Sequence, residues 1–119
     1  MKRYLFIISR APYTSNHALE QLEAAMVAAA FDGDVHILFR DEGVWALQDG
    51  QCGPAVAQKT LSKVLTALPS YEINELCACA SSMAARDVTA HPKINVNYLD
   101  LAQQTRLISE SDVIITGQP

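Results

Sequence analysis

Residues 4–9 read Tyr4-Leu5-Phe6-Ile7-Ile8-Ser9 (YLFIIS), an apolar run of aromatic and β-branched side chains with no alternation of polar and apolar positions. A strand with one wet face alternates, whereas an unbroken apolar strand is buried on both faces, as in parallel sheets covered by helices. The following residues agree with that reading. After Ala11 and Pro12, the polar group Thr14, Ser15 and Asn16 offers helix N-caps, and Leu19, Leu22, Met26 and Ala29 recur at spacings of three and four. Ala24, Ala25, Ala28, Ala29 and Ala30 favour helix and let it approach a sheet closely. Asp32-Gly33-Asp34 reads as the helix stop, and Val35 to Phe39 as a second strand.

Asp41 to Gly53 has the composition of a loop, with Gly43, Gly50 and Gly53 around the apolar group Val44, Trp45, Ala46 and Leu47. From Pro54 to Leu68 the positions Ala57, Leu61, Val64, Leu65 and Leu68 give helical periodicity, with Pro54 near the first turn and Pro69 at the end. Leu76 to Ala80 reads as a third strand, with a short helix after Ser81. Ile94 to Tyr98 reads as a fourth strand, Leu101 to Ser109 as a helix and Val113 to Thr116 as a fifth strand. Alternating strands and helices predict an α/β fold, a single-domain three-layer sandwich over residues 1–119. Its mostly parallel five-stranded sheet carries helices on both faces. The length of 119 residues and hydrophobic content of 50% suit one core of that size.

Charge narrows the partners. The net charge is -4, and the nine Lys and Arg residues are scattered, so no basic face is expected to grip nucleic acid directly. No run of about 18 apolar residues suggests a membrane span. The apolar part of MKRYLFIISRAP, interrupted by Ser9 and Arg10, is too short for a signal peptide, so a cytoplasmic location is expected. Three cysteines, an odd number, do not make a disulfide framework and fit a reducing compartment.

Two of the three stand one residue apart in NELCACASSM, Asn74 to Met83. On a strand, Cys77 and Cys79 point to the same face about 6.6 Å apart, with parallel Cβ vectors that aim a disulfide poorly. Cys79, at the carboxyl end of a strand before a helix, is placed where a thiolate is stabilised, and it is the candidate catalytic residue. Buried cysteine also serves as a small hydrophobe, and core packing is the competing reading for both. Cys52 falls in the glycine-containing loop. Cys-x-Cys with Cys52, His17, His36 and His91 matches no zinc spacing, so no metal is expected. No cofactor is expected either, since phosphate-cradling glycine motifs are absent. His17 reads as a helix-start residue and His36 as a satisfied core or edge histidine. Val44, Trp45 and Leu47, apolar in a predicted loop, are the interface candidates, because Trp is enriched at the centres of buried interfaces, and local packing on the chain's own core is the competing reading.

Several of these residues form a pattern. A first strand ends in Ala11-Pro12, and Phe39, Asp41 or Glu42, Gly43, Val44, Leu47, Gly50 and Gln51 are similar to the pattern F-x-x-D-x-G-V-x-x-L-x-x-G-Q, with one residue fewer between Phe39 and Gly43. Tyr71, Glu72 and Ile73 precede CACASSM, and Asp112, Val113, Ile114 and Ile115 close the chain's last strand. This pattern resembles the DsrE/DsrF family of sulfur-relay proteins, within it the TusC-like (DsrF-like) branch, over essentially the whole chain. The resemblance implies a role in 2-thiouridine synthesis at the tRNA wobble position. It also implies assembly with TusB-like and TusD-like subunits into a heterohexamer that passes persulfide sulfur between carrier proteins. In that family the relay cysteine belongs to the TusD-like subunit. Cys79 holds a similar place, in TusC-like surroundings that imply a structural role.

Overall fold

Strand β1 (Arg3–Ile8) becomes the second strand from one edge of a five-stranded sheet, and its unbroken apolar run explains why. Leu5, Phe6, Ile7 and Ile8 are all buried, with alternate side chains serving two separate cores. The computed structural model describes residues 2–10, 17–31, 33–48, 63–91 and 94–116. The N-cap residues Thr14 to Asn16, the loop cysteine Cys52, and residues 54–62 of the predicted second helix lie outside them.

The remaining elements are α1 (His17–Ala30), β2 (Asp34–Phe39), a 3₁₀ helix (Asp41–Leu47), α2 (described over 63–67), a 3₁₀ turn (Leu68–Tyr71), β3 (Glu75–Cys79), α3 (Ala80–Ala85), β4 (Asn97–Leu99), α4 (Leu101–Glu110) and β5 (Val113–Thr116). Among the described residues the strand pairings of the sheet are parallel, and the spatial order is β4-β3-β2-β1-β5. The expected α/β sandwich with a five-stranded sheet is therefore observed. The chain steps one way from β1 to β4, and right-handed crossovers keep α1, α2 and α3 on one face. The reversal to β5 sends α4 to the other face. The first core joins Phe6, Ile8, Ile37 and Phe39 to Leu22, Leu65, Leu68 and Met83. The second is small: Leu5, Ile7, Leu38 and Cys77 under Leu99, Leu107 and Ile108.

The third strand ends one residue earlier than the sequence reading, at Cys79, with Ala80 opening α3, and two larger differences follow. The fourth strand pairs only over Asn97–Leu99, because Ile94 enters the first core from an unpaired segment instead of joining the sheet. The stretch after β2 is a 3₁₀ helix and not an open loop. Its three-residue repeat sets Val44 and Leu47 on one side, where both are fully buried in the chain's own core. Both side chains are thus turned into this chain's own core, and among the three interface candidates Trp45 is the one that is half-buried. The indole Nε1 of Trp45 donates to Glu42 Oε2 at 3.1 Å, and Arg86 Nε donates to Glu42 Oε1 at 3.0 Å.

Candidate functional site

Cys79 ends β3 and is the N-cap of α3. The strand delivers it there because Leu76 and Ala78 face the α1 side, leaving Cys77 and Cys79 on the side covered by α4. Its sulfur lies 3.2 Å from Ser81 Oγ. Cys79 pairs in register with Leu99 on β4, and the carbonyl of Leu99 accepts a hydrogen bond of 3.1 Å from Nε2 of Gln104. Gln104 is only 2% exposed, so α4 lowers a buried amide over the end of the sheet beside the thiol. The helix is fixed for this by a reciprocal cap, with Gln103 N–H donating to Asp100 Oδ1 at 2.8 Å and Asp100 N–H donating to Gln103 Oε1 at 2.9 Å.

The two cysteines on this face differ chemically. Burial alone would raise the Cys79 thiol, but hydrogen bonds from Ser81, Ser82 and Gln104 outweigh it and bring the pKa down to about 7. Cys77 is pushed up to about 11, by burial first and by the charge of Glu75 second. At neutral pH the Cys79 thiol therefore ionises far more readily than Cys77, which stays protonated and packs in the second core. The Cys79 residue is 6% exposed, so packing and acidity coexist at one position. Its rate of alkylation by iodoacetamide is expected to climb through pH 7 and level off above it, with Cys77 unmodified in the folded chain. A climb centred near pH 9 would show that the surrounding hydrogen bonds do not acidify the thiol.

Ser82 ties this end of the sheet to the neighbouring 3₁₀ helix, accepting the Asp41 N–H at 3.0 Å through Oγ. The serine pair was legible as a helix start, whereas nothing in the sequence marked Gln104 as a neighbour of Cys79. His36 is buried as expected but not satisfied: its Nε2 lies 3.3 Å from Asp34 Oδ1 without the alignment of a hydrogen bond. The side chain of His17 is outside the described residues. Among the described residues no three His, Cys, Asp or Glu side chains converge as a metal site, and no helix is long and apolar enough to cross a membrane.

Comparison with known proteins bears on the family and the fold. Residues 2–116 match the model of the DsrE/DsrF-like family. A TusC homolog of Pseudomonas aeruginosa is 34% identical over 118 residues, covering 98% of this chain and 99% of the relative. The intracellular sulfur oxidation protein DsrF of Allochromatium vinosum is 28% identical, with 98% and 96% covered. TusC of Escherichia coli is 28% identical, with 97% and 98% covered. The fold is shared with the crystal structure of the Escherichia coli ychN protein, at a TM-score of 0.76 and 19% identity over 98% of this chain and 99% of that one. A parallel sheet of this order, carrying a thiol at the end of β3 and matched from end to end by such relatives, belongs to the DsrE/DsrF-like family.

Proposed function

We propose that this chain is one subunit of a TusBCD-like sulfurtransferase complex, assembled with TusB-like and TusD-like subunits. That complex relays persulfide sulfur towards 2-thiouridine at the tRNA wobble position. The observation that carries the reading is the likeness to TusC and DsrF relatives along the whole chain. Surface chemistry supports an assembled state: Phe31 is 82% exposed, and Val27, one helical turn before it, is exposed as well. With a net charge of -4, contact with tRNA falls to carrier proteins downstream and not to this chain. A cytoplasmic location goes with that role.

In this reading the chain is a non-catalytic subunit. The acidified thiol favours a second one, in which Cys79 itself holds sulfur. Its thiolate attacks the outer sulfur of a donor persulfide, a new S–S bond forms, the donor's S–S bond breaks and the donor leaves as a thiolate. An acceptor thiolate then takes the outer sulfur from Cys79 in the same way, and no net oxidant is required.

Co-purification of the tagged chain from its own cells tests the first reading, and TusB-like and TusD-like partners are the expected result. A stable monomer that ignores such partners would overturn it. Incubation with a persulfide donor separates the two readings: a mass gain of about 32 Da on Cys79 shows a carrier, and an intact complex without the gain shows a non-catalytic subunit. In cells, Cys79→Ala leaves thiolation of tRNA intact if the subunit is non-catalytic and abolishes it if Cys79 is on the sulfur path.

A further inference from the structure

Although Cys79 is the N-cap of α3, its side chain closes no cap bond onto the first turn of that helix, which is only six residues long. Side chains supply the polar contacts of the sulfur instead, from Ser81, Ser82 and Gln104. Their other engagements separate them. Ser82 is buried, and its Oγ accepts the Asp41 N–H at 3.0 Å, which ties α3 to the 3₁₀ helix. Gln104 is buried as well, and its Nε2 donates to Leu99 O at 3.1 Å, which ties α4 to β4. Both bonds join elements of the fold and would be needed with any residue at position 79. Ser81 differs from them. It is exposed, and among the described residues the contact of its Oγ with Cys79 Sγ, at 3.2 Å, is the hydrogen bond its side chain makes.

The direction of that bond follows from the state of the sulfur. While Cys79 is a thiol, either atom can donate, since S–H and O–H both carry a proton. A thiolate carries none, so on ionisation the hydroxyl must donate and the sulfur accept. The bond is then charge-assisted and roughly twice as strong as a neutral one. A donor that binds the ionised form more tightly than the neutral form changes reactivity and does not merely fill space. Of the groups that offset burial at Cys79, Ser81 contributes most.

We propose that Ser81 is the positioning residue of Cys79, its hydroxyl holding the thiolate before sulfur is taken up and receiving it again when sulfur is passed on. Its place in sulfur transfer rests on the second reading above, in which Cys79 holds sulfur. In the first exchange of that reading, Sγ must be ionised to attack the donor's outer sulfur, and its charge is consumed as the new S–S bond forms. In the second exchange the acceptor thiolate takes the outer sulfur, the same S–S bond breaks, and its electron pair returns to Sγ. A hydroxyl on Sγ favours both steps, since it raises the thiolate population for attack and stabilises the thiolate that leaves.

The test is the pH profile of iodoacetamide alkylation of the full chain, with the adduct on Cys79 followed by peptide mass. Ser81→Ala is expected to raise the midpoint by about one pH unit, the size of one hydrogen bond to a charged group. Its melting temperature should stay the same because the residue is exposed, and its rate at high pH should not fall because access to the sulfur is unaltered. Ser81→Thr keeps the hydroxyl and should return the midpoint to that of the unsubstituted chain. An unmoved midpoint in Ser81→Ala, or a Ser81→Thr profile that follows Ser81→Ala, would overturn the proposal. So would a lower plateau at an unchanged midpoint, the mark of a residue that only shapes access. Alkylation needs no sulfur donor, so it is read apart from the mass gain of about 32 Da that tests the carrier. A raised midpoint in a chain that gains no such mass supports the hold on the thiolate and overturns the carrier reading alone.

Discussion

Gly43→Ala is expected to cost about 3 kcal/mol of folding stability, a large fraction of the roughly 5–15 kcal/mol that holds a domain of this kind together. Gly43 sits in the first turn of the 3₁₀ helix, its N–H donating to Arg40 O at 3.0 Å. Its Cα lies against the end of β1, and a Cβ there would overlap the carbonyl oxygen of Ile8. That oxygen cannot move aside, since it accepts the Arg40 N–H at 3.0 Å and Ile8 is completely buried in the sheet. The helix would have to shift as a body, pulling Val44 and Leu47 out of the core. Urea denaturation reads this as a lower midpoint at an unchanged slope. An unchanged midpoint would mean that the helix lifts freely from β1.

Leu47→Ala should cost about 2 to 5 kcal/mol, because the side chain is completely buried and its removal leaves a cavity. The loss should appear as a lower melting temperature of this chain, with association to partner subunits unaltered at temperatures where it is folded. Trp45→Ala should show the opposite balance if its half-buried ring anchors a partner, weakening association by about 2 kcal/mol. Measuring both quantities for both variants separates the core side of the 3₁₀ helix from its outer side. A Leu47→Ala chain that melts normally but fails to assemble would contradict the buried position.

The contrast between those neighbouring residues also shows where sequence reading stops. YLFIIS and VIIT were legible as strands because unbroken β-branched runs have few other uses, and their strand assignments were met at Arg3–Ile8 and Val113–Thr116. The stretch from Asp41 to Leu47 was not legible as structure. Its glycine and acidic residues read as a loop, and a 3₁₀ helix of two turns carries too little periodicity to be told from one. The fourth strand was displaced because Ile94 is apolar for a reason unrelated to pairing. At the thiol, the strand-to-helix position of Cys79 could be read from NELCACASSM. The acidity could not, since it depends partly on Gln104, 25 residues further along the chain (104 − 79), brought over the sheet by the crossover from β4 to β5.

The reversal in strand order has a consequence for synthesis on the ribosome. β1 is made first, yet one of its two edges is completed only by β5, and Arg3 N–H and Asp112 Oδ2 close the seam at 2.8 Å. Until residues 113–116 emerge, the oldest strand in the nascent chain presents an open row of backbone donors and acceptors along Tyr4 to Ile7. Such an edge pairs with whatever extended chain it meets. A translational pause that holds residues 113–116 inside the exit tunnel, after β2 has already docked on the other edge, would prolong the exposure of a folded but unfinished sheet.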